Sequence, residues 1–330
     1  MKNTRLFRFI IPLVIVLAAG GSLYKANAWG FWAHQRINRL AVFSLPPEMI
    51  VFYKKHLEYI TEHAVDPDKR RYAVAEEAPR HFIDLDHYVH ERPYDIMPHK
   101  WADAVAERTE DTLNAYGIVP WHTQKVLWQL TKAFEDRNMN MILHYSADLG
   151  HYVGDGHVPL HTSENYNGQM TNQKGIHGFW ESRVPELFGD NYDFWVGKAQ
   201  YIDNTTEYVW KYVIDSHEAL DSVLIFEREL NKLTPSDQKY CYENRGAQNM
   251  QVYCEDYADN YSKMLNGMQE RRMRAAIIAT ASLWYTCWVN AGQPDLNALK
   301  EIPPTPQEIE EQKQLEAKFQ EGKIIGKSCH

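Results

Sequence analysis

Cysteine is scarce, four in 330 residues, so a disulfide scaffold is excluded and a chain of this length must be held by a buried core. Strand signals are nearly absent, because alternation of apolar and polar residues gives way almost everywhere to helical periodicity. Basic charge is in deficit, with 35 Lys and Arg against 44 Asp and Glu for a formal net charge of -9. The totals therefore indicate no basic face for a polyanion, and a negatively charged substrate would need metal to attract it. No internal repeat occurs at a fixed period. No convincing membrane span is present either. The run AAIIATASLWYTCWVN is shorter than the roughly 20 residues a span needs and lies beside Arg271, Arg272 and Arg274, so it reads as a core helix.

The N-terminus carries an export pattern. Lys2, Arg5 and Arg8 precede an apolar run from Phe9 to Leu17, and Ala26-Asn27-Ala28 is a small-x-small cleavage site. Residues 1–28 are read as a signal peptide, which makes the protein exported, periplasmic or extracellular, with no stable membrane anchor after cleavage. Their loss removes four positive charges and no acid, taking the net charge to -13. Cys241 and Cys254 bracket a polar loop, YENRGAQNMQVY, that an oxidising compartment could close; Cys287 reads as core and Cys329 lies in the tail.

Helical periodicity covers about 31–44, 47–62, 100–116, 121–136, 138–155, 177–188, 200–232, 256–291 and 306–322. The expected fold is all-α: a single multi-helix domain over 29–295, then a charged and helical C-terminal tail over 296–330. No protein partner is indicated.

The densest chemical signal is HYVGDGHVPLH, with His151, Asp155, His157 and His161. On a helix, residues four apart point the same way, which aligns His151 with Asp155, and Pro159 can turn His161 back towards them. His144 and Asp148 fall within about 40 degrees of that stripe at about 100 degrees per residue. Ile142, Leu149 and Val153 form an apolar opposite side. A buried acidic and histidine-rich face is costly unless it is paired or binds metal, and imidazole with carboxylate at this density is a zinc-type ligand set. The alternative is a solvated face with incidental histidines. His177 and Glu181 are also four apart, a spacing that suits an ordinary helical pair as well as a ligand pair. Asp66 and His81, with Asp84 and Asp86 beyond, complete the set, although Asp66-Pro67 also reads as a turn opener. Cleavage after Ala28 would leave Trp29 with a free α-amino group ahead of His34. An amine of pKa about 7.7–8.0, with its own carbonyl oxygen, can chelate a metal near neutral pH.

Taken in order from Trp29 to Glu181, these residues resemble the superfamily that joins zinc-dependent phospholipases C to the single-strand-specific trinuclear zinc nucleases. The resemblance implies three zinc ions. Asp66, His81, His151 and Asp155 would hold one, His161, His177 and Glu181 a second, and the Trp29 amine and carbonyl, His34 and the other oxygen of Asp155 a third. It further implies hydrolysis of phosphodiester bonds by a metal-bridging hydroxide that Asp66 orients, since coordination lowers the pKa of water from about 15.7 to about 7. Asp84, His144, Asp148 and His157 are candidates for hydrogen bonds that orient the ligands.

The substrate evidence divides. The five-residue step from Trp29 to His34 and the fifteen-residue step from Asp66 to His81 look like the nuclease branch, and Glu181, rather than aspartate, looks like the phospholipase branch. The segment TSENYNGQMTNQKGI lacks the paired glycine and asparagine stretch expected of the nucleases. The reading leans to a phospholipid over single-stranded nucleic acid. Candidate substrate contacts are Lys69, which also reads as a solvated turn residue, and the aromatics Phe31, Trp32, Tyr72 and Tyr166. A reading of a different class is an exported, non-catalytic zinc-binding helical protein. It is less favoured because three ligands at the second ion leave a position open to water and substrate.

Overall fold

A computed structural model describes residues 30–245, 248–300, 302–303 and 305–325. The signal segment, Trp29 and Cys329 lie outside the described residues. The fold is all-α, as periodicity predicts. Its central elements are α1 (Gly30–Ala41), α2 (Val119–Glu135), α3 (Met139–Gly156), α4 (Thr205–Leu233) and α5 (Met268–Asn290). Helix α5 packs against α1, α2 and α3, and α2 lies beside α3. Their shared core includes Ile37, Tyr53, Phe134, Leu149, Val153, Ile277 and Trp284, all buried. Among the described residues no helix is long and apolar enough to cross a membrane.

The glycines of α3 set the distance between α3 and α1. A Cβ at Gly150 would sit 1.8 Å from Asn38 Oδ1, and one at Gly154 would sit 3.0 Å from His34 Nδ1. Without these two hydrogens in place of side chains, His34 could not lie against the histidine face of α3. Asn38 secures the contact by donating to the Ala147 carbonyl at 3.0 Å.

Several expected helices are divided, each at an identifiable break. The 100–116 segment splits into Trp101–Arg108 and Glu110–Tyr116 at Thr109, whose φ is 68° and whose hydroxyl caps Thr112 N–H. The 256–291 segment splits at Asn266 and Gly267, both with positive φ. The 47–62 segment breaks at His56.

The sequence reads 242–253 as a polar loop, whereas residues 240–245 and 248–253 form an antiparallel pair, β1 (Tyr240–Arg245) and β2 (Gln248–Tyr253). Neither strand has a buried apolar face to produce the alternation that marks most strands. The Cys241–Cys254 disulfide closes the hairpin base, and Cys287 is buried and free. Arg183 donates to the Tyr253 carbonyl at 3.1 Å and pairs with Glu243. The hairpin is thereby tied to Phe179–Arg183, a single widened π turn. Such turns occur often at functional sites, and this one carries Glu181.

The tail helix α6 (Pro306–Glu321) is largely exposed, but it is not wholly solvated. Phe319 packs against Phe31 at 5.9 Å and Tyr72 at 5.1 Å between ring centroids. The backbone N–H of Ile325 donates to the Arg71 carbonyl.

Candidate metal centre

Among the described residues, three groups of buried histidine and carboxylate side chains are close enough to hold ions: His34, Asp68 and His151; His81, His151 and Asp155; and His161, His177 and Glu181. Asp155, at the end of α3, lies between them. Its Oδ2 is 2.9 Å from His81 Nδ1 and 3.2 Å from His151 Nε2, and its Oδ1 is 3.4 Å from His34 Nε2 and 3.7 Å from His161 Nδ1.

The backbone fixes which imidazole nitrogen faces inward. Nδ1 of His151 donates to the Ala64 carbonyl, that of His161 to the His81 carbonyl, and that of His177 to the Tyr166 carbonyl. A ring whose Nδ1 carries the proton presents a bare lone pair at Nε2 when neutral. His161 Nε2 and His177 Nε2 are 3.2 Å apart, and Glu181 Oε2 is 3.0 Å from the latter. His151 Nε2 is likewise 3.1 Å from His81 Nδ1. Lone pairs and carboxylates converging in a buried space repel one another unless a cation sits among them.

The electrostatics show how strongly these groups are coupled. Burial pushes the His151 imidazole down, but Asp155 and Asp68 outweigh it and raise the group to about 8. Burial resists ionisation of Glu181, yet His177 and His161 hold it down to about 2. Asp155 is held well below the usual carboxylate range, against its burial, by His151 and His161. Asp68 is buried, and neither of its carboxylate oxygens accepts a hydrogen bond. Imidazole nitrogens and carboxylate oxygens at these separations are the donor set that suits zinc.

Asp66, the residue expected to ligate, is not brought into any of the three groups. Its carboxylate bonds His63 Nδ1 and lies 3.5 Å from Lys69 Nζ. Asp68, two residues on, turns inward instead, with Oδ1 3.9 Å from both His151 Nε2 and His81 Nδ1. The short helix Asp66–Arg70 begins on a 3-10 turn, His63–Val65, and its packing decides which of the two carboxylates faces the histidines. Glu77 is a second residue that the sequence reading missed. It is buried, its Oε1 lies 3.5 Å from His81 Nε2, and Arg70, Arg80 and Tyr152 all hold it. A carboxylate behind a ligating histidine fixes ring orientation and raises ligand basicity. The four-residue step from Glu77 to His81 was the available signal.

The residues expected to orient the ligands are dispersed. Asp148 is held by two bonds from Arg70, at 2.7 and 3.2 Å. His144 is 3.7 Å from Asp148, on the part of α3 that precedes the ligands. Asp84 is buried, with its backbone N–H on the Tyr116 carbonyl. His157 bonds the Val153 carbonyl and stacks on Tyr212, so it is a core histidine. Among the proposed substrate contacts, Tyr166 lies 6.2 Å from the His177 ring, Trp32 sits under Arg36, and Phe31 and Tyr72 meet Phe319.

The position of His157 has a measurable consequence. Burial, with Arg272 adding to it, pushes its pKa down to about 3. Below about 6.5 the unfolded chain takes up a proton that the folded protein refuses, so stability falls as pH drops from about 6.5 towards 3. At pH 5 this one residue costs about 2 kcal/mol. His157→Phe, which keeps the stacking on Tyr212, should narrow the difference in melting temperature between pH 7 and pH 5. An unchanged difference would mean that the acid sensitivity arises elsewhere.

No protein-family model and no curated protein matches the chain. Among solved structures, the alpha toxin from Clostridium absonum is similar at 14% identity with a TM-score of 0.41, over 78% of this chain. The matched chain spans 64% of that toxin's length.

Proposed function

We propose that this protein is an exported, zinc-dependent hydrolase of phosphodiester bonds whose catalytic domain spans 29–295. The observation that carries the reading is the approach of His161 Nε2 to His177 Nε2 at 3.2 Å, with both Nδ1 protons committed to backbone carbonyls. Two imidazole nitrogens facing each other, with a carboxylate 3.0 Å from one of them, offer three of the four ligands of a tetrahedral site.

Three ions are proposed. His81, His151, Asp155 and Asp68 hold the first, and His161, His177 and Glu181 the second. His34 and Asp155 hold the third together with the amine and carbonyl of Trp29. Bound there, zinc would supply a water ionised near neutral pH and positive charge against the phosphoryl oxygens. Asp155 fixes the spacing of the groups, the Ala64, His81 and Tyr166 carbonyls keep the ligand nitrogens bare, and Glu77 holds the His81 ring. Three protein ligands at the second ion leave a position open to water and substrate, which favours an enzyme over an inert zinc protein.

The proposed substrate is a phospholipid. Glu181 supports this, as does the turn over residues 163–176, which is bound to the site through Tyr166 and Asn167 and places Met170, 69% exposed, at the surface. Hydrolysis of a chromogenic phosphodiester with and without chelator tests the reaction class. Parallel assays on phosphatidylcholine and single-stranded DNA test the substrate, and turnover of DNA alone would move the assignment to a nuclease. Metal-loaded protein that turns over none of the three would contradict the enzyme reading.

The choice of Asp68 over Asp66 has its own test. Asp68→Asn should remove metal and lower turnover about a hundredfold, whereas Asp66→Asn should leave the metal content intact. The reverse pattern would restore Asp66 as the ligand.

A further inference from the structure

A cavity of about 300 Å³ lies apart from the metal ligands, none of which lines it. Its walls include Arg70, Arg80, Lys125, His122, His144 and Asp148. His122, Asp148 and Tyr152 are buried at its base, and Lys125 stands exposed at its rim. Burial, with Arg80 next to it, pushes the His122 imidazole down to about 3, so the positive charge here comes from the two guanidiniums and the ammonium. Against those three cations stand two carboxylates, Asp148 in the wall and Glu77 behind Arg70 and Arg80, which leaves one positive charge in excess.

The donors are unequally committed. Arg70 is fully engaged, with two bonds to Asp148, one to Glu77 and one to the Tyr152 hydroxyl. Arg80 gives Nη1 to Glu77, at 2.6 Å, and among the described residues its other guanidinium donors have no hydrogen-bond partner. Among the described residues Lys125 has no ion-pair partner and no side-chain hydrogen bond. A guanidinium with free donors and an ammonium lining one concave, partly buried space suit the tetrahedral oxygens of a phosphate group. Neutral His122 adds a polar ring at the base.

We propose that this cavity binds a phosphate group, held by Arg80 and Lys125, at a site separate from the metal centre. The group can be free phosphate or the end of a phosphate monoester. Its binding would load the side of the Glu77 network that faces away from His81.

The test is isothermal titration of the mature, metal-loaded protein with inorganic phosphate and, in a second arm, with glycerol 3-phosphate. The parent is compared with Lys125→Glu and Lys125→Arg, changes at an exposed residue that touches no metal ligand. Lys125→Glu should weaken one binding event by at least about tenfold, and Lys125→Arg should preserve it, with zinc content and melting temperature unchanged. The tighter of the two ligands identifies the source of the phosphate. A Lys125→Glu isotherm that superimposes on the parent's in both arms, or no saturable binding in the parent, would overturn the proposal.

Discussion

Asp155→Asn is expected to cost the protein at least one metal ion and about a thousandfold in phosphodiester turnover. Asp155 is the one carboxylate in contact with four of the clustered histidines, and its two oxygens face different groups. Asparagine preserves size and shape but replaces one oxygen with an amide nitrogen that cannot ligate, so only one group can retain its carboxylate. In chelated protein the substitution also removes the anion that pairs with His34, His81, His151 and His161, so the melting temperature of that form should fall as well. Metal content and turnover of the variant, read by plasma emission and the chromogenic assay, decide the point. Full metal loading with turnover within about threefold of the parent would show that Asp155 bridges nothing.

Chelation should lower the melting temperature by about 8 °C or more, and added zinc should restore it. An ion that binds only the folded state stabilises it by about 4 kcal/mol when present at a thousandfold over its dissociation constant. In a chain of this length each kcal/mol moves the midpoint by roughly 2 °C. The metal-free protein also retains the buried carboxylates Asp68, Asp155 and Glu181, with histidines and, at 3.7 Å from Asp68, Arg71 as partners that offset their charge only in part. Scanning calorimetry with and without chelator reads the effect directly. Identical transitions would mean that the histidine and carboxylate groups are satisfied without metal.

Much of this arrangement is legible in the sequence because helix geometry turns spacing into position. The four-residue step from His151 to Asp155 gives a contact of 3.2 Å, and that from His177 to Glu181 one of 3.0 Å, the latter across a widened turn that spacing does not foretell. Where the chain is irregular, spacing loses its force. Asp66 and Asp68 flank Pro67 in a five-residue helix, and tertiary packing alone selects the one that faces inward. The stripe on α3 is real, but its first half faces a different neighbour. Arg70 takes Asp148 there, so His144 and Asp148 belong to the cationic cavity. The hairpin at 240–253 escaped notice because both strands are largely polar and none of their described side chains is fully buried, which leaves no buried face to set a period of two. The burial of Phe319 against Phe31 and Tyr72 was equally hidden, since a single aromatic in a charged helix marks no docking face.

The most direct test of the central claim is the zinc content of the mature protein, measured by plasma emission on material whose N-terminus has been sequenced. About three zinc ions per chain are expected, removed by chelator together with phosphodiester turnover. A content of one ion or none, in protein that hydrolyses phosphodiesters equally well with chelator present, would contradict it.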